Sequence, residues 1–297
     1  MIKAGALILL VLGAFAGSAA GAPAAILVVE RQDARARKLA GLIAQRLQGR
    51  ASIRQVEYAE TDVGDPIYKG RLVARLESSA LVIGVGDDAS RFVMREVEDG
   101  RLYFVSAVAR GAALGEPRVS GVFTYSIDDL LGALPAGWKS ELGLLYTPGY
   151  EPIVAQIRAR SRQLGARLQE RRIARAGELP EAARALMASS RAVWVLGDPV
   201  LSRGAGFEYL VEQSLSQAVP LIGAGEAQVA DGAVLCSRAS DAALAAKASR
   251  GIAALLAGEK GEARFDDADA GGAIVYNKSL SERFRLSPRS SAWRPLP

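Results

Sequence analysis

Histidine is absent from this chain of 297 residues, and cysteine occurs once, at Cys236. Without histidine, the commonest general base and most catalytic metal sites are missing. One thiol cannot form an internal disulfide, and Cys236 stands in an apolar run, so we expect it to be buried and inert. Aromatic residues make up 6% of the chain, too few for a carbohydrate-stacking groove to be recognised. We therefore expect no enzyme activity, no metal site and no cofactor.

Charge of one sign is not concentrated along the chain either. Lys and Arg number 37 against 32 Asp and Glu, a net charge of +5. Arg35, Arg37 and Lys38 share one predicted helix, which we interpret as a solvated face, so we expect no nucleic-acid partner. The adjacent pair Asp87/Asp88 and two similar acidic pairs indicate helix caps and surface charge, because neighbouring residues do not face each other on a helix or strand.

The amino terminus has the pattern of a secretory signal peptide. A positive start at Lys3 is followed by an apolar run, Ala4–Ala16, and then by small residues up to Ala24. The run is shorter than the roughly 20 residues that span a bilayer. We expect residues 1–24 to be removed near Ala24 and the mature chain to be exported.

Strands and helices alternate through the rest of the chain in two successive sets. Ala24–Val29 is an unbroken apolar run, typical of a strand buried on both faces of a parallel sheet. Ser126 and Ser240 are expected to cap helices. The alternation predicts an α/β fold with two doubly wound, Rossmann-like lobes. The predicted strands are 24–29, 53–58, 80–85, 102–108 and 119–125 in the first set, and 141–146, 168–174, 192–196, 219–223, 233–237 and 273–276 in the second.

The loop Gly84–Ala89 follows a strand and opens a helix, as a weakened dinucleotide fingerprint would. Asp87 and Asp88 at the helix start would repel a phosphate and favour an ammonium group or the helix dipole. A ligand-contacting loop and a simple turn with a cap both remain open. Asp198, at the end of a strand in the second set, is either a partner for a ligand amino group or a loop cap.

Several ordered segments resemble one known family. Lys139–Pro148 reads Lys-Ser-Glu-Leu-Gly-Leu-Leu-Tyr-Thr-Pro, similar to that family's K-x-[IV]-G-[VI]-L-Y-N-P. The other matching segments are Val119–Phe123, Leu134–Pro135, Ala218–Gly223, Asp231–Ala233, Ala254–Lys260 and Asn277–Ser281. The chain thereby resembles the periplasmic substrate-binding proteins of ABC transporters, in the group associated with tryptophan, tyrosine and related ligands.

The resemblance implies a type I periplasmic-binding-protein fold with two lobes joined by a hinge. We expect the amino-terminal lobe at 25–138 and 239–264, and the carboxyl-terminal lobe at 139–238 and 265–297. The hinge is expected near Gly137–Ser140, Arg238–Ser240 and Phe265–Ala273. Three prolines near the chain end predict an irregular strap or a loose end at Ser287–Pro297.

The resemblance further implies a small ligand, an amino acid or related metabolite, held between the lobes of a monomeric periplasmic protein. An ABC permease at the inner membrane would be its partner. The loops Gly86–Ser90 and Ser106–Ala109 are expected to contact the ligand from one side, and Asp198–Ser202 and Gly223–Gly225 from the other. The candidate ligand-binding residues are Gly86, Asp87, Asp88, Ser90, Ser106, Asp198, Leu201, Ser202 and Gly225.

Two of these loops depart from the family pattern. Gly86-Asp87-Asp88 stands where Gly-Thr is usual, and Val108–Leu114 stands where the family often has Asp-Pro. These departures favour an alternative function, a non-transport accessory or sensory protein that keeps the binding-protein fold with a degenerate cleft.

Overall fold

The computed structural model describes residues 24–107, 118–197, 201, 204–259, 265–288 and 290–296. The predicted signal peptide lies outside these residues, apart from Ala24. The first half of the chain forms β1 (Ala24–Glu30), α1 (Ala34–Leu47), β2 (Ser52–Tyr58), α2 (Glu60–Val63), α3 (Pro66–Glu77), β3 (Leu81–Val85), α4 (Asp87–Glu96), β4 (Arg101–Ser106) and β5 (Val119–Phe123).

The second half repeats the alternation and then adds a tail. Its elements are α5 (Ile127–Ala133), α6 (Ala136–Lys139), β6 (Leu142–Tyr146), α7 (Glu151–Gln163), β7 (Leu168–Arg172), α8 (Leu179–Ser189), β8 (Ala192–Val195), α9 (Gly204–Gln217), β9 (Leu221–Ile222), α10 (Glu226–Ala230), β10 (Leu235–Arg238), α11 (Asp241–Leu256), β11 (Phe265–Asp266), β12 (Ala273–Tyr276), α12 (Lys278–Arg283) and β13 (Trp293–Pro295).

Two separate sheets arise from these strands, and the predicted fold class is confirmed. The first sheet has the order β2-β1-β3-β4-β5-β11, and the second β7-β6-β8-β9-β10-β12-β13. Their first five strands follow the same order, in which the second strand lies outside the first and the third lies on its other side. The pairing is parallel except between β10 and β12. Each sheet therefore reverses its strand order once, beside its first strand, and ligands of open α/β sheets bind at such points.

The expected helix caps also form. The Ser126 hydroxyl accepts the Asp129 N–H at 3.2 Å, and the Ser240 hydroxyl accepts the Ala243 N–H at 3.2 Å. Each hydroxyl satisfies a donor that has no partner within the first helical turn. The caps set where α5 and α11 begin, and both helices begin beside the segments that connect the sheets.

Three segments of the chain run side by side between the sheets. The Ala239 N–H donates to the Thr124 carbonyl at 3.0 Å, and the Ala268 N–H donates to the Tyr125 carbonyl at 2.9 Å. The Ser126 N–H donates to the hydroxyl of Ser237 at 3.1 Å. We call Thr124–Ser126, Ser237–Ala239 and Asp267–Ala268 the connecting segments.

The first connecting segment, Thr124–Ser126, does not coincide with the hinge range predicted at Gly137–Ser140. Helix α5 already contacts α7, β10 and β12, so the chain has crossed before α5 begins. The break at Pro135 ends a helix but does not mark the change of sheet, because Ile127, Leu130 and Leu131 are buried in the cluster that both sheets share. Strand β11 pairs with β5 of the first sheet. The lobe boundaries stay a prediction, and we propose that the connecting segments form the hinge.

The chain end corrects the prediction of an irregular strap or loose end. Strand β13 pairs in parallel with β12, and Trp293 is buried against Tyr276 with ring centroids 5.9 Å apart. Pro295 is tolerated because β13 is the edge strand, where one side of the backbone needs no ladder hydrogen bond. Prolines in the sequence therefore indicated irregular structure where an edge strand forms.

Candidate functional site

The carboxyl ends of β4 in the first sheet and β9 in the second approach each other, and we call the region between these strand ends the cleft. Ala107 follows β4 of the first sheet, and Gly225 follows β9 of the second. A Cβ atom on Gly225 would lie 3.2 Å from the Cβ of Ala107, which is tighter than ordinary van der Waals contact. The structure thus brings together two of the predicted loops at this point. Of the predicted Ser106–Ala109 loop, residues 108 and 109 lie outside the described residues.

Gly86 and Asp87 form the turn at the end of β3. Gly86 has φ of +90°, and its N–H donates to the Val105 carbonyl at 2.8 Å. A Cβ at Gly86 would come within 2.8 Å of a carboxylate oxygen of Asp33, so the turn needs glycine. The Asp87 carboxylate accepts the Ser106 hydroxyl and the Ala107 N–H, each at 2.8 Å. Asp87 therefore joins the ends of β3 and β4 at the cleft.

Asp88 and Ser90 have other surroundings. Asp88 is exposed and pairs with Arg91 one helical turn later. Ser90 is buried, and its hydroxyl donates to the Gly84 carbonyl at 3.3 Å, which braces α4 against β3. Their roles as ligand contacts stay predictions, and the internal acceptor of Ser90 favours a packing role.

On the second sheet, Asp198 and Ser202 lie outside the described residues. Leu201 is fully buried in the core cluster that contains Phe207 and Leu210. Its role as a ligand contact also stays a prediction. The burial of the side chain in this core favours a packing role. The loop after β8 begins at Gly197, whose carbonyl accepts the buried Tyr150 hydroxyl at 2.7 Å.

Tyr150 was not among the predicted site residues. It follows β6, so the hydrogen bond joins the ends of β6 and β8, where the second sheet reverses its strand order. Strand β6 corresponds to β1 and β8 to β3, so the loop at Gly197, rather than Tyr150, has the place that Asp87 has in the first sheet. The repeated strand order was the sequence signal that could have directed attention to the turn after β6, because ligands of open α/β sheets bind beside the point where the strand order reverses.

A buried aromatic cluster lies between the sheets. Tyr125 of the first connecting segment stacks on Phe123 at 5.0 Å and meets the edge of Trp194 at 6.2 Å. Burial, and to a smaller extent Asp267, raises the pKa of Tyr125, so its phenol stays neutral. The indole nitrogen of Trp194 is buried and finds no hydrogen-bond partner within the part of the chain that the structure describes. Such an unsatisfied donor costs about 1–3 kcal/mol.

Arg35 is not on a solvated face as predicted, although its helix neighbours Arg37 and Lys38 are exposed. Its side chain is 25% exposed and donates to Asp241 at 3.1 Å and to the Ala239 carbonyl at 3.0 Å. One guanidinium nitrogen also lies 3.6 Å from a carboxylate oxygen of Glu226. Helical periodicity located Arg35 on α1, but its anionic partners come from distant elements, Asp241 from the start of α11 and Glu226 from the start of α10.

Asp241 shows the electrostatic effect of these cations. Burial raises its pKa, but hydrogen bonds from Lys38 and Arg35 outweigh burial and hold the pKa below the usual carboxyl value. The Lys38 ammonium lies 3.1 Å from Asp241. Asp241 is therefore a stable anion at the start of α11, where the helix dipole also favours negative charge.

A groove of about 650 Å³ lies beside the connecting segments, between α7 and α11. Asp267 lines it and accepts the Ile127 N–H at 3.2 Å. Burial is the main cause that raises the pKa of Asp267 above the usual carboxyl value. Gln156 of α7 donates to the Phe265 carbonyl at 3.1 Å. The groove thus touches parts of both halves of the chain.

Within the described ranges, no group of three or more His, Cys, Asp or Glu side chains is placed to hold a metal ion. None of the helices in the same ranges is long and apolar enough to cross a membrane. Cys236 is fully buried, and burial raises its pKa, so the thiol is protonated and shielded as the sequence indicated.

Two doubly wound sheets that face each other through their strand ends define a two-lobed binding protein of the type I periplasmic-binding-protein fold. Residues 134–286 match the family described as ABC transporter substrate binding protein, and the chain belongs to that family. Its members are solute-binding components of transporters rather than enzymes, and are generally periplasmic or extracytoplasmic. No curated protein matches the chain by sequence.

Solved structures support the fold. A domain from Streptococcus pneumonia in complex with L-Trp is 18% identical, with a TM-score of 0.52 over 91% of this chain and 97% of that one. A conserved domain protein from Vibrio cholerae is 17% identical, with a TM-score of 0.54 over 91% and 97%. A ligand-free, open substrate-binding protein with adhesive properties from Clostridium difficile is 14% identical, with a TM-score of 0.54 over 93% and 100%. These likenesses establish the fold.

Proposed function

We propose that this protein captures a small ligand, an amino acid or related metabolite, in the cleft and presents it to an ABC permease from the periplasm. The observation that carries the proposal is the close approach of Ala107 and Gly225. Strand ends of two separate sheets meet there, and no covalent step is required for a ligand to be held between them. Closure around the ligand would shift an open–closed population towards the form that the permease recognises.

The charge at the cleft supports an amino-acid ligand. Asp87 lies at the end of β3, beside the point where the first sheet reverses its strand order. A carboxylate in this place favours an ammonium group. The complex of one fold relative with L-Trp is compatible with this class of ligand.

A thermal-shift screen of the chain from residue 25 onwards tests the proposal. The probes are the twenty amino acids and common small metabolites, each at several concentrations. A ligand at 100 times its dissociation constant should raise the free energy of unfolding by about 2.7 kcal/mol. Stabilisation by one chemical class, saturating with concentration, is the expected result. A complete absence of shifts would contradict capture and favour the accessory function.

Gly225→Ala provides a variant that acts on the cleft alone. The backbone of Gly225 is extended, with φ of −157°, so alanine brings little backbone strain, but its Cβ would press on Ala107. We expect weaker ligand binding by this variant and nearly unchanged stability without ligand. Gly132→Ala in α5 is the control, because a Cβ there meets no atom within 4 Å. Equal affinity of the two variants would contradict closure at this point.

A further inference from the structure

A chain of alternating charges runs across the cleft near the connecting segments. In order it consists of Lys38, Asp241, Arg35, Glu226 and Arg238. Lys38 and Arg35 belong to α1, which packs on the first sheet, and Asp241 begins α11, which packs on α1. Glu226 begins α10, which packs on β10 and β12 of the second sheet. Within this chain of charges, the pair Arg35–Glu226 is therefore the link between the helices on the first sheet and α10 on the second sheet.

Both members of that link keep a partner on their own side of it, Arg35 on α11 packed against α1 and Glu226 on the second sheet. Arg35 retains Asp241 at 3.1 Å, and Glu226 retains the Arg238 guanidinium at 2.9 Å. The linking pair is longer, at 3.6 Å, and its side chains are 25% and 30% exposed. Separation of the two halves would break it without leaving a buried unpaired charge, and so without the large penalty of such a charge.

Glu226 is also the residue directly after Gly225. A force that holds Glu226 near α1 consequently holds Gly225 near Ala107, where a Cβ on Gly225 would lie 3.2 Å from the Cβ of Ala107. Within the second half, Arg238 fixes the same carboxylate from the side of the connecting segment.

We propose that Glu226 is a positioning residue that sets how far the cleft closes, by pairing with Arg35 in the closed form and remaining on Arg238 in the open form. The proposal rests on the proposed function, since it describes how the cleft of a ligand-binding protein is biased. Because the pair is partly exposed, salt should weaken it. The bias is small, so a ligand can still shift the population in either direction.

Distances between spin labels on the two halves test this without any ligand. Gln45→Cys on α1 and Ala188→Cys on α8 place labels at exposed positions, while the native Cys236 is buried and should remain unlabelled. Glu226→Gln keeps the shape of the side chain and removes its charge. We expect the population with longer label distances to rise roughly two- to fivefold, the range of an exposed ion pair. High salt should move the unsubstituted protein in the same direction and leave Glu226→Gln little changed.

Glu170→Gln is the matched control. Arg158–Glu170 is an ion pair at 2.7 Å between α7 and β7, both in the second half, so its loss should leave the label distances unchanged. Arg35→Gln should act as Glu226→Gln does, and the double variant should add little to either. Distances that respond to salt but not to Glu226 would overturn the positioning role and leave closure intact. Distances that respond to neither salt nor Glu226→Gln would likewise overturn the positioning role, whereas failure of the proposed function would appear in the ligand screen.

Discussion

Asp87 and Asp88 are adjacent carboxylates at the start of α4 with different surroundings. The Asp87 carboxylate accepts a buried serine hydroxyl and a backbone N–H at the end of β4, whereas Asp88 is exposed beside Arg91. The dipole of α4 favours both charges to a similar degree. The difference between them therefore lies in the groups that each carboxylate satisfies.

Replacement of each aspartate by alanine should separate these roles. Asp87→Ala removes the acceptor of the Ala107 N–H, and we expect the free energy of unfolding to fall by about 1–3 kcal/mol. Asp88→Ala serves as the control, with a loss of under about 1 kcal/mol, because an exposed ion pair contributes little. Urea denaturation followed by circular dichroism measures both. Equal losses would show that the hydrogen bonds to Asp87 do not support the end of β4.

At the scale of elements, two carboxylates near the connecting segments have opposite electrostatic situations. Asp241 at the start of α11 is held ionised by Lys38 and Arg35, and its pKa is lowered. Asp267 after β11 is half-buried in the groove, and its pKa is raised mainly by burial. The ionised form thus stabilises the structure at one position and destabilises it at the other.

This difference determines whether each of two variants raises or lowers the melting temperature. Asp241→Asn should lower the melting temperature at pH 7, because the stabilisation from a lowered pKa is fully present above the ordinary value of about 3.9 and is lost as the pH falls through the folded pKa. Asp267→Asn should raise the melting temperature at pH 7, because a raised pKa means that ionisation reduces stability as the pH rises through the folded pKa. The asparagine oxygen can still accept the Ile127 N–H.

A thermal melting series between pH 3 and pH 7 checks both variants against the unsubstituted protein. The advantage of Asp267→Asn should vanish near pH 3, where the native carboxyl is protonated in the folded and unfolded states. The deficit of Asp241→Asn should shrink over the same acidic range. Differences that do not vary with pH would show that shape rather than charge is responsible.

At the scale of the whole molecule, the two sheets share one core. A single cluster of buried side chains contains Val28 and Phe104 of the first sheet together with Leu144 and Trp194 of the second, joined through Tyr125. Separate clusters lie on the other face of each sheet. Because the shared cluster would lose contacts if either half unfolded alone, we expect the halves to unfold together.

Two optical signals can test this cooperativity. Trp194 lies on β8 and Trp293 on β13, both in the second sheet, and Trp138 lies on α6 after the chain has left the first sheet, whereas far-ultraviolet circular dichroism reports the helices around both sheets. We predict that fluorescence and dichroism give the same urea midpoint, as a two-state transition requires. Fluorescence of Trp194→Phe provides a control for the buried indole. Separate midpoints would indicate that the halves unfold independently.

Much of the architecture could be predicted from local patterns. Apolar runs such as Ala24–Val29 and alternating segments such as Ile53–Tyr58 located most of the predicted strands, and Ser126 and Ser240 located two helix starts. Such features depend on neighbouring residues, because side-chain period and caps are properties of a short segment. Strand β13 was missed since its prolines have an irregular appearance in sequence and become acceptable only at a sheet edge.

The sequence by itself determined the alternation of strands and helices, and with it two doubly wound sheets. Only the tertiary structure decided which segments connect them and which distant charges pair. Arg35 and its partner Asp241 lie 206 positions apart, and no periodicity relates such residues. Local periodicity specifies which face of a segment is buried. The partner on that face is set by the packing of the whole chain.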